Sequence, residues 1–495
     1  MTAEAKTVLD TDLQDARQQS RGLAKNRVGV LGIVFFVIAA AAPLTVVVAL
    51  FPVILVSGNG IGIAGTFVLV SLVLLLFSVG FVAMSRHITN TGAFYSYITQ
   101  GLGRPMGLGA ASMVIFSYNA IQLGLYGGIG YYAEAYVSSR IGVHLPWWLY
   151  SFAALFACLM LGIRRIEAGA AVLAVLLTLE TGIIMLLDGS ILWHQGAAVA
   201  HFSFAPFFPK AVLAGSLGVA LMFAHASFIG FEGTAIYGEE ARDPKRTIPR
   251  ATYIAVIFMG VFYSLTAWLI VNSLGVDHAV EVAKQTSANL VFVVGENNLG
   301  RAGAEIFQLF VITSMFAAIL TFHNNVARYL FSLGRQGVIW KGLGRTHPRS
   351  QAPHLACYVQ SLMVGVVIAI FAFAGLAPYD TLFTWFTGVG AAGMIAVQCM
   401  ASIAVFVFFR RNTVDKRVWN TFIAPLLGIA GLLPFIYFAL TSLDLLIGAT
   451  GVVQWIFLLM LIASFVIGIA TAFSLRAWAP ARYARLASSL GDQSG

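Results

Sequence analysis

Charged residues are scarce in this chain. Asp, Glu, Lys and Arg make up 10% of it, against about 25% in soluble domains, and that scarcity excludes a soluble globular domain. Cysteine is scarcer still. Cys158, Cys357 and Cys399 lie in or at the ends of apolar segments, are odd in number and have no metal-type spacing, so neither a disulfide framework nor a zinc site follows. No Gly-rich loop ends in Lys-Ser or Lys-Thr, so ATP-driven work is not expected within the chain. No HExxH, GxSxG or Cys/His cluster occurs, and no nucleophile or metal set for a membrane enzyme can be assembled. No filter repeat or ring of charges marks a channel. No metal, cofactor or nucleic-acid partner is expected, and an ion gradient remains as the source of work.

What the chain has in quantity is apolar length. Hydrophobic residues make up 59%, the mean hydropathy is +0.87, and runs of about 20 residues recur, each long enough to cross a bilayer. The pattern predicts an all-α polytopic membrane protein with twelve spans. They fall at 28–56, 62–84, 106–137, 146–163, 166–188, 212–240, 250–273, 302–333, 355–376, 381–409, 421–444 and 452–475. Residues 1–27 are polar, mixed in charge and unlike a signal peptide, and are expected to form a cytosolic tail; so are residues 476–495. With the N-terminus inside, 25 of the 29 Lys and Arg fall in cytoplasmic pieces, Arg328 among them, leaving only Arg140, Lys210, Lys284 and Arg301 outside. A bias of that size fixes orientation, accounts for the net charge of +9, and predicts a multi-pass protein of the cytoplasmic membrane with both termini cytosolic.

Two segments are interrupted. The first carries Pro43 after Ala39–Ala42, and proline removes a helical hydrogen bond and clashes with the preceding turn. The sixth, 212–240, loosens at His225–Ser227 and then carries Gly230, Glu232 and Gly233 before a predicted two-turn resumption of helix. Irregular backbone at membrane depth is tolerated only against protein or a watery cavity. A structural reading, a glycine kink with Glu232 hydrogen-bonded, stays open beside a ligand-facing one. Two broken segments, each opening a set of five, form the inverted-repeat signature of secondary transporters. The first repeat is then 28–188, the second 212–409, and 421–475 holds two peripheral helices.

Other polar groups stand out against the apolar background. TGAFYSYITQGLGRPMG is too polar to span and predicts a short interfacial helix. Segment three has Tyr118, Asn119, Gln122 and Tyr126 at helical spacing, a stripe that lines a cavity or bonds neighbouring helices. Glu180 stands in segment five with no adjacent cation, and intramembrane carboxylates of this kind are functional candidates. We read it either as a proton carrier or as a structural carboxyl. Segment eight offers Ser314, His323 and Asn325; His225 and His323 serve either as hydrogen-bonders or as relays.

Three stretches carry a family resemblance. SFIGFEGTAIYGEEARDPKRTIPRA (227–251), TGAFYSYITQGLGRPMGLGAA and RYLFSLGRQGVIW together resemble the amino acid–polyamine–organocation permeases over nearly the whole length. The resemblance implies a five-plus-five inverted repeat of the LeuT type, with broken helices one and six and two added helices. It implies that Ala40, Ala41, Ala42, Pro43 and Leu44 meet a substrate carboxylate. Ala226, Ser227, Phe228, Ile229 and Gly230 would meet its ammonium group through released carbonyls. Helix one here reads AAAAPLT where the family usually has a Gly-Ser-Gly type break. Ala226 stands where an exchanger of the family has an aromatic gate, so Phe228, with Phe316, is expected to occlude the site. Glu232 falls on the family's GFE glutamate, and with Glu180 it is a candidate for the proton or for a cationic amine. Tyr118, Asn119, Gln122 and His323 are candidates to line the cavity. The expectation is a proton-driven carrier of an amino acid or small amine, monomeric or homodimeric; an exchanger, a polyamine carrier and a transporter-like nutrient sensor are the alternatives.

Overall fold

The computed structural model describes residues 22–88, 92–286, 289–412, 414–484 and 486. Most of the two expected tails, with Lys6, Arg17, Arg21 and Arg485, lies outside the described residues. Among those residues the chain is helical, and its one β-type pairing is a bridge between Val28 and Ala241.

Leaving single-turn pieces aside, the order is α1 (Val30–Ala41), α2 (Pro43–Ser57), α3 (Ile63–Ser85), α4 (Ala93–Leu102), α5 (Arg104–Ile141) and α6 (Trp147–Gly162). Then come α7 (Ile166–Gln195), α8 (Leu217–Ala226), α9 (Pro244–Ser273), α10 (Ala279–Thr286), α11 (Leu290–Arg335) and α12 (His354–Phe373). Then follow α13 (Thr384–Arg411), α14 (Ala424–Thr441), the short α15 (Leu443–Ile447) and α16 (Val452–Trp478), with one more turn at Pro480–Ala484. Eleven helical stretches among the described residues are long and apolar enough to cross a membrane, with α1–α2 counted as one. The twelfth expected span is α6, whose 16 residues reach only about 24 Å at 1.5 Å per residue, short of the roughly 30 Å hydrocarbon core.

Local chemistry explains both interruptions. Proline disfavours the helical region for the residue before it, and Ala42 accordingly leaves the helix with φ 49° and ψ 67°. Pro43 then opens α2 at the first helical position, where its missing N–H costs nothing. In the sixth segment α8 stops at Ala226, and Gly230 takes φ 122°. A side chain at Gly230 would also clash with the Cβ of Ala40, so the two breaks lie against each other. The expected resumption of α-helix after Gly233 does not occur. Phe231–Ala235 is a 3₁₀ turn, and the backbone continues in i→i+3 turns, Ile236 to Gly233 at 2.9 Å and Glu240 to Tyr237 at 3.0 Å. Regular helix returns only at Pro244, after Asp243 at φ 47°.

Elsewhere the boundaries move for equally local reasons. α11 runs through Gly300, where φ of 70° breaks the helical path. α4, predicted as a short interfacial helix, is buried on nearly all sides against α5 and α13. α16 buries only Phe457, Leu461, Ser464, Gly468 and Ala472, a narrow stripe against α5. Arg328, grouped by sequence with a basic loop, is instead 3% exposed within α11.

Candidate functional site

The two breaks form the floor of a cavity of about 230 Å³. From the first segment Ala40, Ala41, Ala42, Thr45, Val46, Leu50 and Val53 face it; Phe223, Ala226 and Ile229 face it from the sixth. Ile121 and Leu125 of α5, Phe322 of α11, Tyr379, Phe383, Thr384, Thr387 and Ala391 at α13, and Leu445 and Leu446 of α15 also line it. The cavity runs toward the end of the bundle that carries Val53, Tyr379 and Gly448, away from the end rich in arginine. Among the described residues no Asp, Glu, Lys, Arg or His lines it.

Its polarity comes from backbone. α2 starts at the floor, with Ala42, Thr45 and Val46 in the wall, and the positive dipole end of a helix N-terminus attracts an anion; Pro43 has no N–H there, and the Thr45 amide donates to Ser314 Oγ at 3.4 Å. α8 ends there, with Phe223 and Ala226 in the wall, and a helix C-terminus presents carbonyls of the opposite sign. One small cavity thus holds two helix ends of opposite sign, a few hydroxyls and an apolar surround. Thr45 is tied at one side, its hydroxyl donating to Ser314 Oγ at 3.1 Å.

Of the ten residues assigned to substrate by resemblance, Ala40, Ala41, Ala42, Ala226 and Ile229 line the cavity. Pro43, Leu44, Ser227, Phe228 and Gly230 are not in the wall. Phe228 turns away into an aromatic cluster with Phe67 and Tyr263, at centroid distances of 6.4 and 5.9 Å. Phe316 is half-buried and also outside the wall. The aromatic side chains in contact with the cavity are Phe223, Phe322, Tyr379 and Phe383.

The polar stripe of α5 faces elsewhere. Tyr118 donates its hydroxyl to Glu232 Oε1 at 2.8 Å, and Asn119 bonds back to the Ile115 carbonyl. Gln122 donates to the Ile319 carbonyl at 3.3 Å and accepts from Gln360 at 2.6 Å. The cavity side of α5 is Ile121 and Leu125, and a shift of one residue turns a helix by about 100°. His323 is buried beside Gly162 and Cys357, not in the cavity wall.

Glu232 lies behind the break rather than in the wall. Its carboxylate accepts from the Gly230 amide at 3.0 and 3.2 Å, from Tyr118, and from Gln398 Nε2 at 3.5 Å. His225 in turn donates Nε2–H to Gln398 Oε1 at 2.8 Å. That network satisfies an amide which the broken ladder leaves free. Gln398, from α13, was not singled out by sequence; a polar residue in an apolar span was its only signal. Glu180 is fully buried on α7, near the Ser314 hydroxyl and the Leu44 backbone, yet neither oxygen closes a hydrogen bond.

Toward the arginine-rich end the floor is sealed. Arg328 donates to both oxygens of Glu240, Nε to Oε2 at 2.6 Å and Nη2 to Oε1 at 2.9 Å, with side chains 4% and 3% exposed. Its guanidinium sits 4.9 Å over Tyr237, which stacks on Phe36 and donates to Asn325 Oδ1 at 3.0 Å. Arg335 grips Glu239 in the same two-pronged way, at 2.9 and 2.6 Å. The chain before α1 is laced in as well, through Arg27 N and Val28 N to the Glu240 carbonyl and Arg242 N to the Val28 carbonyl.

Comparison with known proteins adds three observations. A family model described as "Amino acid permease" matches residues 28–466. The branched-chain amino acid permease BcaP of Bacillus subtilis is 21% identical over 352 residues, 65% of this chain and 71% of that protein. The low-affinity putrescine importer PlaP of Escherichia coli is 26% identical over 314 residues, 60% of this chain and 65% of its own length, just under two thirds.

Proposed function

The chain belongs to the amino acid permease family, and on that premise we propose that it carries a zwitterionic amino acid with an apolar side chain across the cytoplasmic membrane. The observation that carries this reading is the pairing of helix ends in an uncharged cavity. The N-terminus of α2 suits a carboxylate, the C-terminus of α8 suits an ammonium group, and Val46, Leu50, Val53, Ile121 and Leu125 suit an apolar side chain. A diamine such as putrescine, the substrate in the name of one relative, calls for acidic groups at both ends. Neither Glu180 nor Glu232 lines the cavity.

Transport proceeds by alternating access, with two five-helix repeats moving about the breaks in α1–α2 and the sixth segment. The twelve spans are oriented by the arginine-rich ends, which face the cytosol. In the described conformation the cavity faces outward, and Glu240–Arg328 and Glu239–Arg335 hold the cytosolic side shut. Opening inward requires these pairs to separate while Phe322, Phe383 and Tyr379 close over the substrate. Coupling is to protons, carried by Glu180, an intramembrane carboxylate without a cationic partner among the described residues. Glu232 holds the break in shape.

Uptake by purified protein in proteoliposomes tests the reading. Labelled leucine, alanine and putrescine are offered with and without an inward proton gradient. Accumulation of the amino acids, driven by the gradient and lost in Glu180→Gln, is the expected result. Movement only against internal substrate makes the protein an exchanger, and uptake of putrescine alone overturns the substrate assignment.

A further inference from the structure

Glu180 is not alone on its side of the bundle. Asp188 lies eight residues further along α7, about 12 Å away along the axis, and within about 80° of the same face. It too is buried, at 7% exposed. Its Oδ2 accepts from the Thr266 hydroxyl of α9 at 2.8 Å, while Oδ1 has no partner. One turn before Thr266 stands Tyr263, fully buried, its hydroxyl unpartnered and close enough to Glu180 to feel its charge. Both oxygens of Glu180 are unpartnered as well. Four unpartnered oxygens from three residues therefore share the seam between α7 and α9. Buried polar atoms left unpaired are costly, and such a concentration calls for water or a proton to satisfy it.

None of these side chains belongs to the substrate cavity. The helices packed on α7 are α1, α2, α6, α9 and α11. From them the polar groups near Glu180 are Ser314 of α11, the Leu44 backbone of α2 and Tyr263 of α9; Asp188 faces Thr266. No charged side chain among the described residues interacts with either carboxyl. Asp188 also lies toward the Gln195 end of α7, opposite Arg164 and Arg165 and on the side toward which the cavity runs.

We propose that Asp188, Thr266 and Tyr263 form a proton path from the outer face to Glu180, separate from the route of the substrate. This inference rests on the proton-coupled reading given above. A proton from outside water protonates Asp188 at its free oxygen. It passes along water in the seam to the Tyr263 hydroxyl, which accepts it and releases its own proton to Glu180, leaving Tyr263 neutral as before. Asp188 then recovers its charge for the next proton. A route through the polar seam lets proton and substrate arrive from the same side without sharing side chains. Intramembrane carboxyl chains serve as proton relays in pumps and transporters.

The test compares gradient-driven uptake with counterflow, in which external label exchanges for internal unlabelled substrate at equal pH. Asp188→Asn should slow gradient-driven uptake at least tenfold while counterflow stays within twofold of wild type. Asp188→Glu should restore uptake, Thr266→Val should shift its pH profile, and Tyr263→Phe should act like Asp188→Asn. Melting temperature in detergent separates misfolding from lost relay. If wild type is gradient-driven and Asp188→Asn matches it, the path is wrong while the coupled carrier stands. Equal losses in uptake and counterflow make Asp188 structural and also overturn the path. If wild-type uptake ignores the gradient, the proton-coupled reading falls and takes the path with it.

Discussion

Breaking the Glu240–Arg328 pair should expose the substrate cavity to the cytosol. Both side chains are almost wholly buried, and two hydrogen bonds of 2.6 and 2.9 Å join them. Glu240→Gln removes the negative charge and leaves the guanidinium buried without a counter-charge, held by the Asn324 carbonyl at 3.1 Å, Asn324 Oδ1 at 3.3 Å, the Tyr237 ring and one neutral amide oxygen. Stranding one member of a buried pair costs about 3–5 kcal/mol. The sealed conformation bears that cost in full, whereas an opened one hydrates Arg328 and escapes it. At about 1.4 kcal/mol per tenfold, the ratio of sealed to open molecules falls by roughly a hundredfold to a few thousandfold. The assay uses Ala40→Cys on the cavity floor, labelled by a membrane-impermeant thiol reagent in right-side-out and inside-out vesicles. The three native cysteines are buried and give little background. Ala40→Cys alone should label from outside only, and adding Glu240→Gln should admit reagent from the cytosolic face. Replacing both partners, Glu240→Gln with Arg328→Met, should recover most of the seal, because removing a whole buried pair is often near neutral. Labelling that stays external in Glu240→Gln, or a double variant as leaky as the single one, would show that the pair does not seal the cavity.

Three further outcomes follow from the geometry. Gly230→Ala should abolish substrate binding and lower the melting temperature, since φ of 122° suits glycine and a Cβ meets Ala40; strained backbone of this kind costs about 1–3 kcal/mol. Ile121→Phe should weaken substrate binding tenfold or more without a matching loss of stability, while Gln122→Leu should spare binding and lower stability, which a binding titration and a melting curve distinguish. Hydrogen bonds from Arg417 hold the Asp415 carboxyl down to about 2. A folded value below the unfolded one means that the stability Asp415 contributes is complete above the ordinary carboxylate range and is lost only as pH falls through about 2. Asp415→Asn should therefore lower the melting temperature by the same small amount at pH 6 and pH 8, small because Arg417 is half exposed.

Much of this architecture can be read along the chain because its causes are local. Pro43 forbids helix at Ala42, Gly230 permits a backbone turn that other residues resist, and apolar runs declare spans by length alone. What escapes the sequence depends on rotation and on distance. Tyr118 and Gln122 drew attention because polar residues in lipid are conspicuous, yet the cavity side of α5 is plain Ile121 and Leu125, about 100° away. Phe383, Thr384 and Thr387 reach the cavity from more than 150 residues beyond Ala226, and no pattern in their own segment announces it. Phe228 is a gate candidate by resemblance alone, and a turn residue points where its φ and ψ send it, here into Phe67 and Tyr263. Arg328 read as one more basic loop residue because its partner Glu240 is 88 positions away. Asp188 stood at the very edge of its predicted span, where a carboxylate passes for a loop residue; its spacing of eight from Glu180 was the available signal.

The proposed substrate depends on one cavity reading both charges of an amino acid with two helix ends. Equilibrium binding to purified protein tests it most directly, comparing leucine with isoamylamine, which lacks the carboxylate, and with isocaproate, which lacks the ammonium group. Leucine should bind at least tenfold more tightly than either, and putrescine should not compete with it. Binding of isoamylamine or putrescine as tight as that of leucine would contradict the account, because the N-terminus of α2 would then contribute nothing to recognition.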